Sequence, residues 1–498
     1  MACLPGTPNN SQAPGLLIPN PMRLFLSLVL AAFSFGCATL PEVHPWAAPA
    51  AGARKPTIVG TRGELSNRRS AAVVARLSKG GSDLLTRHVL LEEEVAGAPL
   101  TVGNAAVLLR DGPPFYRALF EAIESARDHV NVEFYIVEDD EVGQRFSEAL
   151  LRKAAEGVSV NLMYDSAGSF GTPRAFFDRL RAGGVKVLEY NPVNPLNARG
   201  DWLLNNRNHR KVAIIDGHVG FTGGINISGV YSQGSSPGRR GRTVGTGSAP
   251  ASGSSFGSRR GSDPAGARKV GWRDTHVRID GPAVGQMQKL FLETWAQQQG
   301  EPLPERDWFP ALQPAGKFPV RIIASGPGDA VPAIYTSLLA AIAYSEKSVH
   351  ITMAYFVPDP QTIEALTDAA TRGVDVTLIL PSHTDFWAVF HAARSHYANL
   401  LSAGVKIYER GTALLHAKTI VIDGVWSTVG SANLDWRSFL HNAELNAVIL
   451  GPNFGGELEA MFESDLREST RILPEDWARR PVEVRMKEWA ARLWAYWL

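Results

Sequence analysis

The residues best suited to chemistry in this chain form a pattern that occurs twice. Each copy reads His-x-Lys-x4-Asp, then six residues, then Gly-Gly/Ser-x-Asn. The copies are His209, Lys211, Asp216, Gly223, Gly224 and Asn226, and His416, Lys418, Asp423, Gly430, Ser431 and Asn433. A loose form of one copy, with any base and any acid after the histidine, is expected about 0.12 times by chance in such a chain. Two copies with matching tails therefore indicate a functional site.

The residue types in this pattern suit a phosphodiester substrate. Histidine and lysine two positions apart lie on the same face of a β-strand, so the imidazole and the ammonium group converge. Lys211 and Lys418 supply positive charge, while Asn226 and Asn433 supply uncharged amide donors to the phosphate. Such donors stabilise the charge that spreads over the phosphate oxygens in a transition state. Histidine can attack phosphorus or protonate a leaving oxygen.

An in-line displacement at phosphorus needs one group on each side, so both His209 and His416 are required. A duplicated domain supplies both across a pseudo-twofold axis. The His-x-Lys spacing is not that of zinc ligands, and the chain has two cysteines, so we predict neither a metal nor a cofactor.

Four acidic residues are candidates for supporting roles. Asp216 and Asp423 belong to the repeated motif and so to the candidate catalytic set, but each precedes a glycine between apolar runs. Because Asp-Gly is a strong hairpin-turn signal, we favour a turn or orienting role over direct catalysis for both. Asp274 and Glu444 lie in strand-like runs downstream of the motifs and are candidates to orient the imidazoles. The alternative for Asp274 and Glu444 is a surface ion pair.

The elements that must position these residues also recur in the same order. AAEGVSV (154–160) recurs as ATRGVDV (370–376), and AGGVKV (182–187) recurs as SAGVKI (402–407). Helical apolar spacing alternates with short buried strands, which is typical of α/β units on a mostly parallel sheet with added hairpins. We predict two tandem α/β domains, over residues 100–300 and 318–470, with a proline-rich linker over 301–317.

One segment of the first domain has a different composition. Residues 232–271 are rich in glycine and serine and carry seven basic residues against one acid, Asp263. We predict a disordered insertion in a surface loop. It is either a tolerated solvated insert or a polybasic patch that attracts anionic lipid headgroups.

The N-terminus resembles an export signal. After Met22-Arg23, an apolar run over residues 24–35 ends in Gly36-Cys37, which matches a secretory signal and is too short for a bilayer span of about 20 residues. The Gly-Cys ending is similar to a bacterial lipoprotein site, which would place lipid on Cys37; the alternatives are an uncleaved anchor and a free cysteine. We therefore expect an exported, membrane-associated protein. Met22 is a second candidate start.

The ends of the two-domain region have their own predicted elements. Residues 1–60 are predicted to hold the signal and an Ala/Pro-rich tether, and 61–99 a helical lead-in. Over 471–498 we predict an aromatic amphipathic helix, with Trp489, Leu493 and Trp497 at i, i+4 and i+8. That helix suits either a membrane interface or docking onto the protein itself.

Composition excludes two broad classes. Hydrophobic residues make up 45% and charged residues 20% of the chain, which excludes global disorder. The net charge of +1 gives no overall field that favours a polyanion, so we expect no nucleic-acid partner. The sequence leaves the oligomeric state open.

The duplicated motif resembles that of the phospholipase D superfamily, and further stretches narrow the resemblance to its bacterial cardiolipin synthase branch. The resemblance spans roughly residues 100–470. The segments that carry it are NRNHRK (206–211), GGIN (223–226), WRDTHVRIDGPAV (272–284), YFVPD (355–359), LHAK (415–418), GSANLDWRS (430–438), Asn442 and Glu444.

This resemblance implies a metal-independent phosphatidyl transfer in two steps. His209 would attack phosphorus to form a phosphohistidine, and His416 would protonate the departing alcohol and then activate the incoming one. Phosphatidylglycerol would be both donor and acceptor, and glycerol would leave. The same site could instead belong to a phosphodiesterase that hydrolyses phospholipid or nucleic acid, or to a non-catalytic lipid-binding protein.

Overall fold

The computed structural model describes residues 40–42, 57–78, 89, 98–200, 202–235 and 271–497. The signal-like run, Cys37 and most of the predicted insertion lie outside these described residues, so the expectations of export, lipidation and disorder stay predictions. Within the described ranges, no helix has the length and apolar character that a bilayer crossing requires.

The first half of the chain alternates strands with helices. Its described strands are β1 (Ile58–Gly60), β2 (Gly63–Glu64), β3 (Leu100–Arg110), β4 (His129–Phe134), β5 (Ser159–Asp165), β6 (Lys186–Tyr190), β7 (Arg207–Asn208), β8 (Lys211–Ile215), β9 (Val219–Gly223) and β10 (Thr275–Asp280). Its described helices are α1 (Asn67–Ser78), α2 (Gly112–Ser125), α3 (Glu141–Ala155), α4 (Arg174–Ala182) and α5 (Ala283–Gln297).

The second half follows the same alternation. Its strands are β11 (Phe318–Ser325), β12 (Ser348–Met353), β13 (Phe356–Val357), β14 (Asp375–Pro381), β15 (Lys406–Arg410), β16 (Lys418–Ile422), β17 (Trp426–Gly430), β18 (Leu434–Asp435), β19 (Asn442–Leu450) and β20 (Ser469–Ile472). Its helices are α6 (Ala333–Ala343), α7 (Pro360–Thr371), α8 (Trp387–Arg394), α9 (Tyr397–Ser402), α10 (Trp436–Leu440), α11 (Pro452–Arg467), α12 (Pro474–Ala478) and α13 (Val482–Arg492).

The strand order is the same in both halves. It is β6-β5-β4-β8-β9-β10-β3 in the first and β15-β14-β12-β16-β17-β19-β11 in the second. In each half the first three strands are parallel and the others antiparallel. Antiparallel pairing of β3 with β11 joins the halves into one sheet. The prediction of two tandem α/β domains is therefore confirmed, but in each half four of the six strand pairs are antiparallel, so the sheets are mixed rather than mostly parallel.

Local sequence explains where the helices begin and end. The Asp140 carboxylate accepts hydrogen bonds from the backbone N–H groups of Val142 and Gly143 and so caps α3, and Asp359 caps α7 in the same way. After these helices, Gly157 and Gly373 have φ values of 86° and 94°. Because this left-handed conformation favours glycine, the repeated Gly-Val is the turn from helix to strand.

An apolar core connects the two halves. Val277, Ile279 and Phe291 of the first half pack with residues of the second half, including Ile322 and Leu445, in one buried cluster. These side chains come from the inner strands β10, β11 and β19 and from α5. The described residues from Pro41 onwards therefore form one compact unit.

The structure corrects the predicted ends of the chain. Residues 471–498 do not form one helix: β20 pairs with β15, and α12 and α13 follow as separate helices. Pro474 and Pro481 account for the breaks, because proline is tolerated at a helix start but not in its interior. At the other end, residues 58–64 form β1 and β2 rather than tether and helix, and Ile58 pairs with Leu100 of β3.

A buried ion pair links the halves beside the apolar core. Arg273, just before β10, donates to the Asp465 carboxylate on α11 from Nη2 at 2.6 Å and from Nε at 3.0 Å. Both side chains are fully buried. Arg110 and Arg410 also lie near this carboxylate, at 3.0 and 3.7 Å. Asp465 therefore neutralises arginines from both halves.

We expect Asp465→Ala to lower the free energy of unfolding by about 3–5 kcal/mol, because it removes the carboxylate that the fully buried Arg273 guanidinium bonds most closely. Asp375→Ala is the matched control: Asp375 pairs with Lys406, and both side chains are more than 40% exposed. That control should cost less than about 1 kcal/mol. Urea denaturation of both variants measures the difference, and equal losses would contradict the structural role of Asp465.

Candidate active site

The two His-x-Lys pairs occupy equivalent places in the sheet. His209 and His416 immediately precede the segments leading into β8 and β16, whose first residues are Lys211 and Lys418. Each lysine Nζ donates to the carbonyl oxygen of its own histidine, at 2.6 Å for Lys211 and 2.5 Å for Lys418. The backbone thus fixes both ammonium groups next to the imidazoles, as the shared strand face predicts.

Backbone hydrogen bonds attach each histidine to the opposite half. β7 pairs in parallel with the start of β19, and the His209 N–H donates to the Ala443 carbonyl at 2.9 Å. In the equivalent place, Arg273 and Leu415 form an isolated parallel β-bridge, and the His416 N–H donates to the Arg273 carbonyl at 2.8 Å. The two halves therefore hold each other's histidines.

The acids that face the imidazoles are also exchanged between halves. His209 Nδ1 lies 2.9 and 3.1 Å from the two carboxylate oxygens of Glu444, and His416 Nδ1 lies 2.7 Å from Asp274 Oδ2. A carboxylate at Nδ1 keeps the proton on that nitrogen and leaves the lone pair on Nε2. The structure thus places Asp274 and Glu444 as orienting partners rather than in a surface ion pair. The sequence did not indicate that each would serve the other half's histidine.

The surroundings of the two acids differ. The Ser431 hydroxyl donates to Glu444 at 2.5 Å, and the Asn442 amide donates to it at 3.2 Å. The residue matching Ser431 in the first half is Gly224, where a Cβ atom would lie only 2.1 Å from Asp274 Oδ1. The Gly/Ser difference between the motif copies therefore follows from the space that each carboxylate occupies.

Burial sets the protonation of the site. Burial lowers the pKa of His209 to about 4, although the Glu444 charge acts in the opposite direction. Burial alone would raise the pKa of Glu444, but His209 and Lys211 lower it to about 2. Burial and the Lys418 charge also lower the pKa of His416. Both imidazoles are thus favoured in the neutral form, and Glu444 in the ionised form.

The lysines share the same environment. Burial lowers the pKa of Lys211 to about 7 and that of Lys418 to about 8. The charge of each lysine contributes to the lowered pKa of the other half's histidine. The four side chains therefore form one electrostatic site, which an anion would stabilise in its fully charged form.

The two asparagines lie beside this group in different contacts. Asn226 Oδ1 accepts from the Ile136 backbone N–H at 3.0 Å, and its Nδ2 lies 3.5 Å from the Tyr231 hydroxyl. Asn433 Oδ1 is buried with no hydrogen-bond partner among the described residues, and Asn433 lines a small cavity together with Lys418. That these two amides bind the phosphate stays a prediction.

The structure removes Asp216 and Asp423 from the catalytic group. They have φ values of 50° and 54° in the turns at the far ends of β8 and β16. The Asp216 carboxylate accepts from the backbone N–H groups of residues 127–129 at 2.8 Å, and Asp423 accepts from those of 346–348 at 2.7 to 2.9 Å. Both aspartates are turn residues, which agrees with the role that the Asp-Gly signal favours rather than with direct catalysis.

Aromatic side chains that the sequence analysis did not select surround the histidines. The Tyr135 ring centroid lies 5.0 Å from that of His209, and Lys211 Nζ lies 5.1 Å from the same ring. Trp272 and Tyr231 lie 5.5 and 6.0 Å from His416, and the Tyr231 hydroxyl is 3.3 Å from its Nδ1. Tyr135 directly follows β4. Its position at the carboxyl end of a strand was the sequence signal that could have identified it as a site residue.

A model of the family described as "Cardiolipin synthase, PLD-like domain" matches residues 119–231 and 338–466. The chain is 35% identical over 400 residues to a cardiolipin synthase of Geobacillus kaustophilus, covering 79% of this chain and 72% of the relative. It is also 35% identical over 401 residues to a cardiolipin synthase of Listeria monocytogenes, covering 80% and 76%.

A solved structure shares the fold at low sequence identity. The crystal structure of phosphatidylserine synthase from Haemophilus influenzae Rd KW20 is 14% identical, with a TM-score of 0.58. The match covers 82% of this chain and 99% of that one. It supports the two-domain fold.

We expect Glu444→Gln to reduce the turnover of a phosphodiester substrate by roughly 10²–10⁴-fold, because an amide no longer fixes the Nδ1–H tautomer of His209. The Glu444 charge raises the pKa of His209 against the effect of burial. Its removal should therefore move the acid limb of the pH–rate profile to lower pH.

Glu459→Gln is the control for this substitution, since Glu459 bonds His350 Nδ1 at 2.6 Å outside the site. It should leave both the rate and the acid limb unchanged. A loss of turnover no larger for Glu444→Gln than for Glu459→Gln would contradict the orienting role.

Proposed function

Because the chain belongs to the cardiolipin synthase family of phospholipase D-like enzymes, we propose that it transfers a phosphatidyl group between two phosphatidylglycerol molecules and releases glycerol. The observation that carries this proposal is the single buried site in which two carboxylate-bound histidines lie with two lysines. The relatives' name, cardiolipin synthase, supports cardiolipin as the product, and phosphatidylglycerol as donor and acceptor is part of the proposal.

In the first step, His209 Nε2 attacks the phosphorus of one phosphatidylglycerol while the bond from phosphorus to the glycerol oxygen breaks. His416 gives its Nε2 proton to that oxygen, so glycerol leaves neutral and a phosphatidyl-histidine forms. In the second step, His416 takes the proton of a hydroxyl group on another phosphatidylglycerol. That oxygen attacks phosphorus, His209 departs, and cardiolipin is complete.

The charges of the site support this sequence. His209 must be neutral to attack, and its lowered pKa of about 4 favours that form at neutral pH. His416 must carry a proton in the first step, although burial and the Lys418 charge lower its pKa. A bound phosphodiester anion counters the lysine charges and so raises the pKa of His416 when substrate is present. Lys211 and Lys418 then stabilise the charge on the phosphate oxygens.

We expect the purified protein, given phosphatidylglycerol vesicles, to form a tetra-acyl product and to release one glycerol for each product molecule. The measurement is lipid mass spectrometry combined with a glycerol assay. Phosphatidic acid as the sole lipid product would show a hydrolase and defeat the transferase proposal. Faster cleavage of DNA than of lipid would defeat the proposed substrate class.

The roles of the two histidines can be separated with a phosphodiester whose leaving group, p-nitrophenol, departs without a proton. We expect His416→Ala to accumulate a phosphorylated enzyme from this substrate. Release of the phosphoryl group from His209 needs the His416 imidazole as base, which this variant lacks. His209→Ala should form none, since it lacks the nucleophile. Phosphoramidate detection by intact-protein mass spectrometry distinguishes the two variants, and the reverse pattern would assign the nucleophile to His416.

A further inference from the structure

Helix α13 has two opposite faces of different character. Glu488 and Ala491 are buried against the protein, whereas Val482, Met486, Trp489 and Leu493 are 65 to 69% exposed. At about 100° per residue, these four exposed residues fall within an arc of roughly 60°, on the side opposite the buried pair. They form a continuous apolar stripe, called here the α13 stripe.

The inner face of α13 is firmly held, so the stripe cannot turn inward. Ala491 packs with Val357, Val389 and Ala392 in a small apolar cluster. The buried Glu488 carboxylate pairs with Arg480 at 2.9 Å. Because both a hydrophobic contact and an ion pair fix the helix, the exposed stripe is a constant feature of the surface.

The contacts of α13 place it at the edge of the sheet that carries the histidines. Val357 lies two residues beyond Tyr355, whose ring centroid is 6.4 Å from that of His416. Just past the helix, the Tyr496 ring lies 6.0 Å from His441. The His441 carbonyl accepts from the Arg207 N–H at 3.1 Å, two residues before His209. The helix therefore borders the active site.

Other exposed apolar side chains lie beyond strand ends at the same edge, on loops or, for Trp387, at the start of α8. Phe170 follows β5, Leu203 follows β6, and Phe386 and Trp387 follow β14, with exposures of 61, 60, 48 and 55%. In parallel strands, the residues after the carboxyl ends share one edge of the sheet, which here is also the edge of the active site. The α13 stripe thus extends an apolar rim around the site.

The charges next to the stripe indicate its occupant. Arg485 and Arg492 are exposed and lie on one flank of the stripe, at about 70° and 90° from its centre. An apolar face with tryptophan and flanking arginines is typical of a helix that lies in the boundary between headgroups and acyl chains of an anionic bilayer. A second copy of this chain would bring the same arginines together, which the like charges oppose.

We propose that the α13 stripe and the apolar rim dock onto an anionic phospholipid bilayer and so turn the histidine site towards the membrane. This inference rests on the proposed function, because the substrate is then a lipid that the docked enzyme takes directly from the bilayer. Docking itself requires no turnover, so it can be tested separately from the reaction.

The direct test places a fluorophore on the stripe of the full chain. Met486→Cys, with Cys3 and Cys37 replaced by serine, carries an environment-sensitive dye. Vesicles of equal parts phosphatidylglycerol and phosphatidylcholine should shift its emission to the blue, and acyl-chain spin labels should quench it. The control is the same dye at Phe309→Cys. Phe309 is 55% exposed and adjoins Pro310, which contacts the Asp216–Gly217 turn at the far end of β8.

No spectral change at Met486→Cys, or an equal change at Phe309→Cys, would overturn the docking proposal. A change at Met486→Cys that depends on protein concentration without vesicles would also overturn it, because a second copy would then cover the stripe. These readouts keep their meaning even if the protein proves not to form cardiolipin.

A second variant connects docking with activity. Trp489→Gln combined with Leu493→Gln should lower transfer on vesicles at least about tenfold, since it removes two buried apolar groups from the docked state. Turnover of monomeric dihexanoyl phosphatidylglycerol should stay at the wild-type rate. Phe309→Gln should change neither rate. Equal losses on vesicles and on monomeric substrate would contradict a membrane role for the stripe.

Discussion

The site depends on one constraint: each histidine is held by the half of the chain to which it does not belong. His209 donates its backbone N–H to Ala443 and faces Glu444, and His416 is held in the same way by the residues before β10. Neither half can orient its own imidazole, so the site exists only where the halves meet. Because β3 and β11 join the two halves of one chain in one sheet, assembly of the site does not depend on protein concentration.

The same packing buries positively charged side chains in the site. Two lysines and two histidines are buried together, and their acids are already engaged at Nδ1. Burial lowers the pKa of Lys211 to about 7 and that of Lys418 to about 8, which means that the buried site holds positive charge at a cost. A phosphodiester anion would offset this cost. The site is therefore preorganised for the charge of its substrate.

Sequence reasoning succeeded where the physics is local. Strand periodicity places His209 and Lys211 on one face, and Asp-Gly turn chemistry accounts for Asp216 and Asp423, because these effects act over a few residues. The exchange of acids between the halves could not be found in this way. The pairing of His209 with Glu444 spans 235 positions and depends on how the halves pack. The helix breaks at residues 474 and 481 did have a local signal, since both positions are proline. The prediction of one helix gave more weight to the spacing of the aromatic residues.

The halves share a strand order but differ around their histidines, and the difference matches the unequal work of the proposed transfer. The nucleophile must make and break one bond without moving, and Glu444 holds His209 while Ser431 and Asn442 hold Glu444. The other histidine must pass a proton twice, and the Tyr231 hydroxyl lies 3.3 Å from its Nδ1, where it can share that hydrogen bond. Because the histidine and lysine are the same in both copies, the division of roles comes from the residues behind them.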